Sequence, residues 1–117
     1  MKTVVVKLQT SPYNSCRTAE GVRLALGLTA GDDQICLVLR GEAVRIATVH
    51  DPGRLELSWV GNLQEQLQLF KEMGGQVLVE REAVNEYAVG PLWAECQLAD
   101  WGEIVPVLAT ADVVLNV

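Results

Sequence analysis

Short apolar runs recur along the chain, each closed by turn-forming residues and followed by a stretch with helical spacing. The first run is Thr3 to Leu8 (TVVVKL), in which Val4, Val5 and Val6 are continuous rather than alternating. Continuity marks a strand covered on both sides, because one wet face would bring a polar residue at every second position. Ser11-Pro12-Tyr13-Asn14-Ser15-Cys16 breaks the run, and Ser15 is the best N-cap for a helix over Arg17 to Leu28. In that helix Ala19, Val22 and Leu26 form one apolar stripe and Leu24 and Leu28 a neighbouring one, more apolar width than one sheet face needs. A second strand, Ile35 to Leu39, closes in Arg40-Gly41.

The middle of the chain is less regular. Ala43 to Val49 fits a short helix or an extended segment equally well, and His50 to Gly61 reads as a loop with Leu55, Leu57 and Trp59 at alternate positions, the pattern of an extended arm that would touch another subunit. Asn62 to Glu65 has the spacing of a capping box, followed by Leu63, Leu67 and Phe70 at helical intervals and a stop at Gly74-Gly75. Gln76 to Glu80 is a third strand, Arg81 to Val89 a short polar helix, and Glu95 to Leu98 a fourth strand. Asp100 to Glu103 repeats the capping-box pattern ahead of a last helix running through Leu108, in which Pro106 removes one backbone bond. Val113 to Val117 is the fifth strand. Five apolar strands separated by helical connections predict a three-layer α/β/α fold with a mainly parallel five-stranded sheet, in one domain over residues 1–117.

Composition narrows the choice of partners. Fifteen acidic and nine basic residues give a net charge of −6, which disfavours a direct nucleic-acid partner. No apolar run reaches the roughly 18 residues that span a bilayer, and the Lys7 and Gln9 interruptions argue against a leader peptide, so a cytoplasmic, membrane-free protein is expected. Three widely spaced cysteines and one histidine make neither a disulfide framework nor a zinc ligand set, and no metal is expected. Nucleotide cradles of the GxGxxG and GxxxxGK[ST] types are missing, and no cofactor is expected. Half the residues are apolar, a high share for so small a chain, which suggests that part of the surface packs against other subunits.

In parallel sheets, ligands sit beyond the carboxyl ends of the strands. Those ends place Ser11, Tyr13, Asn14, Arg17, Arg40 and Glu80 as candidate ligand-binding residues. Cys16 is the candidate nucleophile: in the first turn of a helix capped by Ser15, free N–H groups, the positive dipole end and Arg17 would favour a thiolate. A lone cysteine without a paired base reads more readily as an ordinary, partly buried thiol. Cys36 and Cys96 read as packing residues, Glu80 and Glu82 as solvated strand-end charges rather than an acid/base pair, and His50-Asp51-Pro52-Gly53 as turn chemistry. Trp59, Trp93 and Trp101 read as core or interface anchors.

The order of these pieces resembles the DsrE/DsrF/DsrH family, which includes the TusB, TusC and TusD sulfur-relay proteins. The resemblance lies in Ser11-Pro12-Tyr13 after the first strand, in Leu39-Arg40-Gly41-Glu42-Ala43-Val44 closing the second, and in the ending Ala109-Thr110-Ala111-Asp112-Val113-Val114-Leu115. It implies a compact subunit that assembles into trimers or hexamers, with itself or with other family members, in cytoplasmic sulfur relay. Active members pass sulfur as a persulfide on a cysteine just after the third core strand, and Glu80-Arg81 occupies the corresponding place here. Two functions remain open: a DsrE-like relay subunit, at most a sulfurtransferase-like carrier that exchanges sulfur with a sulfur-carrier protein, or a non-catalytic homo-oligomer that binds a small ligand or partner.

Overall fold

The computed structural model describes residues 1–10, 17–47, 58–87, 91–93 and 95–117, with the backbone alone for 58–64. Its centre is one sheet of β1 (Thr3–Leu8), β2 (Gln34–Leu39), β3 (Gln76–Glu80), β4 (Gln97–Ala99) and β5 (Val113–Asn116). The spatial order is β4-β3-β2-β1-β5 and every pairing is parallel. The chain therefore steps outward from β1 to β4 and then returns across the whole sheet to place β5 against the free edge of β1.

The continuous apolar runs become the three central strands. On one face Val4, Val6, Leu8, Ile35, Leu37, Leu39, Val77 and Val79 pack under α1 (Arg17–Leu28) and α2 (Ser58–Glu72), with a 3-10 turn, Gly41–Ala47, and α3 (Arg81–Glu86) completing that layer. The other face offers Val5, Cys36, Val38 and Leu78, covered by α4 (Trp101–Thr110) through Ile104 and the partly buried Trp101, Val107 and Leu108. Two apolar faces with helices on both give the three-layer α/β/α arrangement that the strand pattern predicts.

Two glycines have steric reasons. At Gly41 the backbone φ is +53°, a conformation that side chains resist, and an added Cβ would lie 3.3 Å from the Gln9 carbonyl. At Gly75 an added Cβ would fall into the Phe70 ring, 2.3 Å from its Cζ, so the turn after α2 closes directly over the largest buried side chain.

Several local expectations change. Residues 43–49 were open between helix and strand, and Gly41–Ala47 forms a 3-10 turn whose Ala43, Val44, Ile46 and Ala47 are all buried. The helix expected from Asn62 begins at Ser58, because Trp59, Leu63, Leu67 and Phe70 continue one helical period, so the Asn62 capping pattern falls inside the helix. Leu55 and Leu57 lie outside the described residues. The fourth strand is Gln97–Ala99 rather than Glu95–Leu98, because the pairs Leu78–Gln97, Val79–Leu98 and Glu80–Ala99 set its register. The third helix ends at Glu86, short of Val89, with residues 88–90 outside the described set. The Asp100–Glu103 capping box forms, and α4 carries Pro106 and continues to Thr110. Pro106 is exposed, so the carbonyl four residues earlier, which loses its helical donor, belongs to the solvent-facing Gly102.

Candidate functional site at the strand ends

Because all strands run the same way, β1 to β4 deliver Thr10, Arg40-Gly41, Glu80-Arg81-Glu82 and Asp100-Trp101 to one rim of the sheet. Arg40 and Glu80 follow the last β2–β3 ladder pair, Leu39–Val79, by one residue each, so they emerge side by side on the face that carries α4. Arg40 Nε donates to Glu80 Oε2 at 2.9 Å, and the Gly41 backbone N–H donates to Glu80 Oε1 at 3.3 Å. The carboxylate thus clasps the turn after β2 from the end of β3. Glu80 is 6% exposed, and the solvated-charge reading of this residue is corrected: it is buried and paired.

Trp101 completes the cluster. The Arg40 guanidinium carbon lies 3.6 Å from the centre of the Trp101 ring, close enough for cation–π attraction. The Trp101 backbone N–H, one of the unpaired donors at the start of α4, is taken by Glu82 at 3.0 Å and 2.9 Å to its two oxygens. That bond is the leading reason the Glu82 carboxyl is held below its ordinary range, with its own backbone N–H next and the charges of Arg81 and Arg40 adding smaller pulls against desolvation. Arg81 Nη1 lies 3.3 Å from Asp100 Oδ1 in an exposed pair. The cluster therefore links the ends of β2, β3 and β4 to the first turn of α4.

Among the sequence candidates, the structure brings Arg40 and Glu80 into direct contact. Arg17 stands exposed at the start of α1, and Thr18 beside it is buried with its hydroxyl donating to the Thr10 carbonyl at 2.6 Å. Ser11, Tyr13, Asn14 and Cys16 lie outside the described residues, as does His50. Cys36 is buried beneath α4, and burial pushes its thiol up from 9.0 to about 11. Cys96 is half-buried and its thiol is also raised, chiefly by burial; it precedes β4 and so sits at the opposite rim of the sheet from Arg40. Neither thiol is activated. Trp93 anchors the underside of α2, donating from Nε1 to Gln68 Oε1 at 3.2 Å.

Sequence reasoning missed the role of Trp101 at this rim. Nor did the sequence join Arg40 to Glu80, because their meeting rests on the β2–β3 register, in which each lies one step past the Leu39–Val79 pair. Among the described residues the rim presents carboxylates, guanidinium groups, a hydroxyl and an indole, with neither thiol nor imidazole. Its described residues can hold and orient a polar group and include no strong nucleophile. No group of residues suited to a metal ion occurs among the described residues.

An all-parallel sheet in the order β4-β3-β2-β1-β5, helices on both faces and a polar cluster at the strand ends define an α/β protein of the kind that places its function at the carboxyl rim. The chain belongs to the DsrE/DsrF-like family, whose model matches residues 2–117. The crystal structure of the ychN protein from E. coli is similar over 100% of both chains, with a TM-score of 0.85 at 21% identity, a likeness of fold. A search of curated proteins found no match.

Proposed function

We propose that this chain is an oligomeric subunit associated with intracellular sulfur relay, acting in the cytoplasm and carrying no persulfide at the end of its third strand. The observation that carries this reading is the occupancy of that position. Glu80 there is buried, bonded to Arg40 and Gly41, and followed by Arg81, so the place where active relatives are expected to hold sulfur is filled by a structural ion pair. Family membership supplies the sulfur context. None of the described helices is long and apolar enough to cross a membrane.

If the subunit carries sulfur, Cys16 is the carrier. Its thiolate would attack the terminal sulfur of a donor persulfide, forming a Cys16 persulfide and releasing the donor's own thiolate, with Arg17 in the adjoining first turn of α1 favouring the anion. Incubation with a persulfide donor followed by intact-protein mass spectrometry should show one added sulfur that disappears in Cys16→Ser. Unchanged loading in that variant, or no loading at all, removes Cys16 as the carrier.

The second reading, a non-catalytic homo-oligomer that binds a small ligand or partner protein at the strand ends, is favoured by the same rim. Arg40 and Glu80 neutralise one another, the Trp101 ring lies beneath the Arg40 guanidinium, and the described residues there include no thiol. Of the other candidates, Ser11, Tyr13 and Asn14 follow β1 in the sequence, and Arg17 opens α1. A chain that loads no sulfur and yet self-associates fits this second reading.

A further inference from the structure

The hydrogen-bond donors of Arg40 are only partly spent. A guanidinium carries five N–H groups in one plane, and among the described residues the Nε–H alone has an acceptor, Glu80 Oε2 at 2.9 Å. One face of the plane lies on the Trp101 ring, with the guanidinium carbon 3.6 Å from the ring centre. The Nη1–Nη2 edge remains, on a side chain that keeps 23% exposure where that of Glu80 keeps 8%.

Each support of this guanidinium is itself held. The second oxygen of Glu80 takes the Gly41 N–H at 3.3 Å, and the backbone N–H of Trp101 is taken by Glu82 at 3.0 Å and 2.9 Å. An arginine fixed by an ion pair and a stack has little rotamer freedom left to lose when a ligand arrives, which removes a main cost of binding through so long a side chain. The bond to Glu80 uses one hydrogen, which a lysine could also supply, so the clasp by itself does not call for a planar fork. The unspent edge matches a group with two oxygens on one atom, met through two parallel charge-assisted bonds. Charge then selects among such groups. At this rim Arg40 and Arg81 stand beside Glu80, Glu82 and Asp100, two guanidinium groups against three carboxylates, so a doubly charged phosphate is repelled more than a singly charged carboxylate.

We infer that the Nη edge of Arg40 is a recognition site for a small, singly charged carboxylate at the carboxyl rim of the sheet, with Glu80 and Trp101 holding the guanidinium in place. The inference rests on the second reading above, a ligand bound at the strand ends, and names the chemical class of that ligand. It involves no covalent step and is independent of sulfur chemistry. One bidentate contact to a group as small as acetate limits the affinity to a dissociation constant on the order of 1 mM. A larger carboxylate whose body also touches the rim would bind more tightly.

Proton–nitrogen NMR titration of the full chain near neutral pH, at constant ionic strength, with acetate, inorganic phosphate and acetamide as probes, tests this. Acetate should move the Arg40 Nε–H signal and the Gly41 and Trp101 amides along one saturating curve with a midpoint on the order of 1 mM. Phosphate should bind about five-fold more weakly or worse, and acetamide, which keeps the shape and loses the charge, should not saturate. Arg40→Lys keeps a positive charge beside Glu80 and loses the fork, and should weaken acetate about ten-fold with the wild-type amide dispersion retained. Should that variant unfold, the Arg40 Nε–H signal of the wild type decides alone. Phosphate or acetamide binding as tightly as acetate overturns the ligand class. Acetate that saturates the rim amides without moving Arg40 Nε–H, or that binds a folded Arg40→Lys unchanged, overturns the role of Arg40 and keeps the strand-end reading. No saturation by acetate overturns the inference; if the chain is also a monomer in sedimentation at micromolar concentration, the strand-end reading falls with it.

Discussion

Replacing Arg40 by Met removes the partner of a carboxylate that the fold has already taken out of water. Glu80 is 6% exposed and accepts two bonds, from Arg40 Nε at 2.9 Å and from the Gly41 N–H at 3.3 Å, so the variant leaves it one weak donor. Unpairing a buried charge costs about 3 to 5 kcal/mol, and the lower end applies here because the Arg40 side chain keeps 23% exposure and water can approach its place. Losing the stack on Trp101 adds about 1 kcal/mol. The expected cost is therefore about 3 to 4 kcal/mol, a large part of the roughly 5 to 15 kcal/mol that holds a domain together. Glu80→Gln keeps an oxygen for one of the two donors and should cost only about 1 to 2 kcal/mol. The double variant Arg40→Met with Glu80→Met removes both charges and should cost less than the sum of its single changes by about 2 kcal/mol. Urea unfolding followed by circular dichroism, at one protein concentration throughout so that self-association enters equally, measures all of these. An Arg40→Met cost below about 1 kcal/mol at unchanged m-value, or a coupling near zero, would refute the view that this pair is a buried structural clasp.

Two further outcomes depend on pH. The folded-state pKa of Glu82 is depressed, mainly by the Trp101 N–H, so its contribution to stability is present above the ordinary carboxylate pKa near 4.5 and is lost as pH falls through the lower folded value; Glu82→Gln should flatten the acid limb of a stability–pH curve, and an unchanged limb would show the bond to be idle. Cys36 has the opposite sign: its folded pKa is raised by burial from 9.0 to about 11, so stability is intact below pH 9 and declines through that interval, by about 2 to 3 kcal/mol in all. Cys36→Ala should remove that share of the alkaline decline, and Cys36 should react with a thiol reagent only on unfolding, outcomes that a difference titration against the wild type would expose or deny.

The strands were legible where apolar residues ran without a break. Val4 to Val6, Cys36 to Leu39 and Val77 to Val79 are buried on both sides, and their shortness between turn residues is what marked them as strands. The start of α2 was hidden because Leu55, Leu57 and Trp59 alternate, which imitates a strand, whereas Trp59 belongs to the helical period of Leu63 and Leu67. Strand order was not legible, since periodicity says which face is buried and nothing about which neighbour pairs; the placement of β5 beside β1 depends on contacts more than a hundred residues apart, such as the Thr3 N–H donating to Asp112 Oδ2 at 2.8 Å. Arg40 and Glu80 were each named as candidates from their strand ends, but their union required the β2–β3 register. Trp101 stayed hidden because a tryptophan opening a helix looks the same in sequence whether it fills a core or supports a guanidinium.

The return of the chain across the sheet also orders events in time. β1 leaves the ribosome well ahead of β5, and one of its two edges is satisfied only by β5, about 105 residues later. At roughly 5 to 20 residues per second, that edge stays open for about 5 to 20 s of synthesis. During that interval its row of unpaired N–H and C=O groups, flanked by Val4, Val5 and Val6, is a template for any extended strand nearby, including β1 of the next nascent chain. Lys7 is the single charge within β1 itself. In a chain whose finished form keeps β1 between two neighbours, this lysine has its most evident use before folding is complete, discouraging like strands from pairing until β5 arrives.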